Sequence, residues 1–155
     1  MKVLIPGWGG RISSLMNVSR RFLRRKETKM TQVAIIRCEK NMERCPLTNC
    51  LRCLREGKEG FANYDESRLV GIFACRCPGD NAVELARILK SKGAEAIHFC
   101  TCCFAKKVEG VWSVDEGGFC DHIDEIIGQV HRGVGIPCMK GTAHLPEGYE
   151  PERVA

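Results

Sequence analysis

Short, uninterrupted apolar runs that alternate with amphipathic stretches leave this chain few folds to adopt. The runs are VAIIRC at 33–38, RLVGIFAC at 68–75, AEAIHFC at 94–100 and GIPCMKGT at about 135–142. Each is short, rich in branched residues and apolar at consecutive positions, the pattern of a strand buried on both faces. Helical spacing fills the gaps. Pro46 suits a first helical position and Gly57 a stop, with Leu47, Cys50, Leu51 and Leu54 on one face between them. Asp80 or Asn81 can cap a second helix with the stripe Ala82, Leu85, Ala86 and Leu89, ended by Gly93. Asp121 can cap a third, with Ile123, Ile126, Ile127 and Val130 inward and Gly133 at its end. A long polar connection, 104–120, precedes this third helix. The expected fold is an α/β domain at 31–150 with an open, four-stranded, mostly parallel sheet of flavodoxin-like three-layer type, followed by a short polar tail at 151–155.

The chain has 155 residues, enough for one domain with a core that needs no cross-links. Yet it carries 11 cysteines, an odd number, with Cys102 and Cys103 adjacent and Cys75 one residue from Cys77. Such close pairs make poor bridges between distant segments. No stretch reads as a signal peptide or as a membrane-spanning apolar run. The expectation is a cytoplasmic protein whose reduced thiols serve metal or redox chemistry.

The net charge of +5 is uneven. Residues 1–30 hold eight Lys or Arg against Glu27 alone, while the remainder is slightly acidic. The basic character belongs to the extension, which argues against a nucleic-acid partner for the folded part. Three readings of 1–30 stay open: an addition upstream of a true start at Met30, a flexible basic tail, or an Arg-rich transit peptide. In each, the extension lies outside the fold.

In open α/β sheets, sites form at the carboxyl ends of the strands. Cys38 ends the first run, Cys75 and Cys77 the second, and Cys100, Cys102 and Cys103 the third. His144 follows the fourth, and Cys120 with His122 enter the last helix. A parallel sheet brings these ends to one rim, so remote segments deliver soft ligands to one place. Zinc takes four Cys or His ligands in a tetrahedron, and an iron–sulfur cluster takes four cysteines. Cys138 starts the fourth run, at the opposite end, and reads as structural. His98 reads as a core or edge histidine, and His131 as a cation at a helix C-terminus. Trp112 and Phe119 read as anchors of the long connection.

Taken together, IIRCEK, CPLTNC with REGKEGF, CRCPGDNAVELARILKSKGAEAI, FCDHIDEI and KGTAHLPEGY resemble the CGGC-domain proteins over about residues 31–150. These are small, mostly prokaryotic proteins rich in cysteine and histidine. The resemblance implies metal binding, and its thiol and imidazole positions fall on Cys38, Cys77, Cys102, Cys120, His122 and His144. The stretch that names the family is one residue shorter here: CRCPG puts Cys77 at the second cysteine, and Cys75 replaces the first. The candidate ligands of a zinc or other thiophilic ion are therefore Cys38, Cys75, Cys77, Cys102, Cys120, His122 and His144.

Two alternatives stand beside this one. Cys45, Cys50 and Cys53 have the first three spacings of a plant-type ferredoxin, so an iron–sulfur cluster is the competing cofactor. Thiol–disulfide redox through Cys102 and Cys103, or Cys75 and Cys77, is the other. A phosphatase loop from Cys38 to Arg44 fares worse: EKNME lacks glycine and carries two acids that would repel phosphate. A protein partner and the oligomeric state are not legible in the sequence.

Overall fold

The structure is a computed structural model that describes residues 27–155. Most of the 1–30 extension lies outside the described residues, although Met30 heads the first strand. The strands are β1 (Met30–Cys38), β2 (Glu66–Cys75), β3 (Ala96–Phe99), β4 (Lys106–Val108), β5 (Val111–Ser113), β6 (Cys138–Lys140) and β7 (Glu152–Val154). The helices are α1 (Thr48–Glu56), α2 (Ala82–Ser91) and α3 (Ile123–Val134).

Sheet order is β2-β1-β3-β6-β7. The first four strands run parallel, as their continuous apolar character predicts. The fifth is a correction to the four-strand expectation: β7, from the polar tail, adds to β6 antiparallel, with Cys138 opposite Val154. An exposed edge strand needs no apolar run, so its sequence carries little signal. The connection at 104–120 is likewise no plain loop. It holds the β4–β5 hairpin, turned through Glu109 and Gly110, both at positive φ.

Val33, Ala34, Ile35 and Ile36 are fully buried, so both faces of β1 are covered. On one face lie α2 and α3. Gly133 permits their close approach, because a Cβ there would meet Val83 Cγ1 at 2.6 Å. This is why Gly133 does not end α3; the helix continues to Val134 and stops at left-handed Gly135. On the other face, the Phe61 ring packs on His98 in a tilted arrangement, centroids 4.5 Å apart. The His98 ring is held at both nitrogens, Nδ1 by Gly141 O (2.9 Å) and Nε2 by Tyr64 OH (2.8 Å). A carbonyl only accepts, so Nδ1 carries the proton, and in the neutral ring Nε2 accepts from the Tyr64 hydroxyl. Burial holds the imidazole down at about 4.

Helix α1 begins at Thr48 and not at Pro46. Leu47 takes a left-handed conformation, its N–H donates to Cys45 Sγ (3.4 Å), and its carbonyl opens the helix by accepting from Leu51 N. Among the described residues no helix is long and apolar enough to cross a membrane.

Candidate metal and thiol site

All eleven cysteines are free thiols. The parallel register sets Cys38 opposite Cys75 at the carboxyl ends of β1 and β2, and side chains in register share a face. That face is the one α3 covers. There Cys38, Cys75, Cys77, Cys103 and Cys120 line one cleft floored by Phe99, Ile123 and Ile126. The space they enclose is about 20 Å³, room for one water or one ion and for no organic molecule.

Each thiol is brought there by a specific local device. The chain after β2 passes close to α3 at Gly79, where a Cβ would collide with Ile126 Cδ1. Asn81, at the cap of α2, turns its side chain away from the helix and accepts from Arg76 N (3.0 Å), which ties the Cys75–Cys77 segment down. Glu39 accepts from Cys77 N (2.8 Å), joining the turn after β1 to the loop after β2. Cys120 arrives through backbone pairing: Phe119 N donates to Cys102 O (2.9 Å) and Cys120 N to Cys103 O (3.0 Å). Gly118 makes this possible, since a Cβ there would stand 2.5 Å from Cys103 C and Phe104 N.

The backbone amides two residues on, Lys40 N–H for Cys38 and His122 N–H for Cys120, act to lower these two thiols. Amide donors favour thiolate. Burial outweighs them and raises both groups, and it pushes Cys75 up to about 11. Lys40 reaches over the cleft. Its ammonium is raised by the charge and hydrogen bond of the Cys77 sulfur, and Nζ donates to Phe119 O (3.1 Å). Glu39 and Lys40 thus clamp three cysteine-bearing segments. The sequence offers them as an acid and a base after a strand, with no periodicity to single them out.

The remaining candidates separate. The one-turn helix Thr101–Cys103 directs neighbouring cysteines apart, Cys103 toward the first cleft and Cys102 toward a second. The second cleft also holds Cys45, Cys50, Cys100 and His144. His144, at φ 59°, bonds Asn49 Nδ2 (2.9 Å) and stacks on Trp112 with the rings 8° from parallel. Cys50 bonds Thr142 Oγ1 (3.2 Å), and its sulfur lies within hydrogen-bonding reach of Cys100, as Cys100 lies of Cys102. Donation from Cys100 and then Cys103 holds Cys102 far below the ordinary thiol range, with help from Asn41 and Arg37. Cys53 turns to Glu59 Oε1 (3.4 Å) and lines neither cleft, so Cys45, Cys50 and Cys53 do not share a pocket. His122 caps α3 with its backbone, and its exposed ring lines neither cleft. Cys138 is buried at the far end of β6, where burial pushes it up to about 12.

Among the described residues, no three Cys, His, Asp or Glu side chains stand close enough, as positioned, to hold an ion. The soft donor set and the ion-sized space nevertheless suit a thiophilic metal.

Comparison with curated proteins and with solved structures found no match. The family profile described as the CGGC domain matches residues 32–143, most of the chain. The chain belongs to the CGGC-domain family.

Proposed function

We propose that the protein binds one thiophilic metal ion, zinc in the first place, through Cys38, Cys75, Cys77 and Cys120. The observation that carries this reading is the register pairing of Cys38 with Cys75 beside Cys77 and Cys120, around a space the size of an ion. Rotation of these side chains about χ1 draws sulfur inward when the ion enters, on a flavodoxin-like three-layer scaffold suggested by the strand order β2-β1-β3-β6. The bound ion would act as a Lewis acid and hold its ligands as thiolates. Cys103 supports the floor, and the amides of Lys40 and His122 stabilise two of the sulfurs. Free thiols in this number fit the reducing cytoplasm.

An iron–sulfur cluster is the weaker cofactor, because Cys53 turns away from Cys45 and Cys50. A thiol–disulfide reading draws on the same register pair, since adjacent parallel strands bring Cα atoms within the span of a disulfide. Elemental analysis of protein purified without oxygen, with thiol counting before and after chelation, tests the choice. The metal reading expects bound zinc and four thiols unmasked by chelator. Metal-free protein that loses two thiols on mild oxidation would replace it with the redox reading.

A further inference from the structure

The second cleft differs from the first in size and in its aromatic and basic lining. It measures about 340 Å³, the size of a small organic molecule. Its walls include the Trp112 and Phe119 rings, and its rim carries Lys106, which stands 3.5 Å from the exposed Glu116 carboxylate, and Lys107, which has no ion pair among the described residues. Among the described residues no carboxylate lines the cleft itself. Arg37, which lines the first cleft, ties the two clefts together: its guanidinium donates to the carbonyls of Asn41 (2.9 Å) and Cys45 (2.8 Å), both residues of the second cleft, while its buried Nε has no partner among the described residues. The cavity therefore offers flat apolar contact and positive charge, the requirements of a small organic anion.

It also offers sulfur. Cys102 is partly exposed, and Cys100 and Cys50 line the same cleft. Exchange with a disulfide is the reaction such a thiol performs without a further co-reactant, because the disulfide is itself the oxidant.

We propose that this cleft binds a small disulfide bearing carboxylates and that Cys102 exchanges with it. The Cys102 thiolate attacks one sulfur of the bound disulfide along the S–S axis. A bond forms between Cys102 Sγ and that sulfur, the original S–S bond breaks, and the second sulfur leaves with the electron pair and takes a proton from solvent. The protein thiol is oxidised to a mixed disulfide, and half of the ligand is reduced to a thiol. None of these residues holds the ion of the first cleft, so the site operates with or without it.

The test treats the full chain with either of two matched aliphatic disulfides, dithiodiglycolate with two carboxylates or cystamine with two ammonium groups. Adducts are mapped by peptide mass, with added N-acetylcysteine amide as the reference thiol. The rate ratio of Cys102 to the reference thiol is expected to be about tenfold or more higher for dithiodiglycolate than for cystamine. Cys102→Ser should abolish the fast adduct. Lys106→Glu with Lys107→Glu, both on the exposed hairpin, should remove the preference while circular dichroism stays unchanged. A fast adduct at any other cysteine, equal ratios for the two reagents, or a preference that survives charge reversal would overturn the proposal.

Discussion

Cys38 and Cys75 face one another in register across two parallel strands, and burial keeps both above their ordinary thiol range. Both are therefore protonated at neutral pH until a metal displaces the protons. Metal affinity should climb with pH, about a thousandfold per unit while Cys38, Cys75 and Cys120 each release a proton, between roughly pH 6 and 8. Competition titrations against a chromophoric chelator at several pH values give the slope. An affinity independent of pH would mean that these three thiols are not ligands.

Gly118 carries the second prediction. Its missing Cβ lets the chain lie against the Cys103–Phe104 peptide and deliver Cys120. Gly118→Ala should cost about 1–3 kcal/mol by overpacking, read from urea unfolding, and should weaken metal binding with it. Gly117→Ala is the control. It sits at φ +67° with open space where a Cβ would be, so the variant should lose about 1–2 kcal/mol of stability to backbone strain and leave affinity near the parent value.

Glu39 tests the clamp. Its carboxylate holds the Cys77 amide. Glu39→Ala frees that loop without opening the core, and by analogy with other outer-shell partners of metal ligands it should weaken binding about 10- to 100-fold. Unfolding by urea should change by less than about 1 kcal/mol, since the bond is exposed.

The other face of the sheet supplies a pH signature. His98 is neutral in the fold, its imidazole lowered by burial from 6.5 to about 4. The unfolded chain binds a proton first as pH falls, so the contribution is complete above about 6.5 and disappears as pH drops toward 4, reaching about 3 kcal/mol. Stability of the parent measured across this window should fall more steeply than that of His98→Phe. Parallel curves would show that the ring does not titrate as described. Tyr64→Phe, which removes the donor to Nε2, should cost about 1–3 kcal/mol at neutral pH.

The parallel strands β1, β2 and β3 and the three helices were legible because burial on one or two faces imposes a period on the residues that form them. β7 and the β4–β5 hairpin escaped because Glu152–Val154 and Lys106–Val108 are edge segments whose exposed side chains obey no such period. Of the thiols expected at the rim of the sheet, Cys38, Cys75, Cys77 and Cys120 line one cleft. It could not assign Cys102 and Cys103, since sequence position puts both at the end of β3 and only the short helical turn sends them to different clefts. His144 stands at the rim as well, yet its left-handed backbone and the Trp112 stack commit it to the second cleft.

The most direct measurement is anaerobic titration of the apoprotein with Co²⁺, whose thiolate charge-transfer absorption reports sulfur ligation. One ion per chain should bind with that absorption, and zinc should displace it. Cys38→Ser and Cys75→Ser should each abolish the signal, whereas Cys53→Ala and Cys102→Ser should retain it. Absence of a thiolate band, or a band that survives in the Cys38→Ser, Cys75→Ser double variant and disappears in Cys102→Ser, would contradict a metal centre at the ends of β1 and β2.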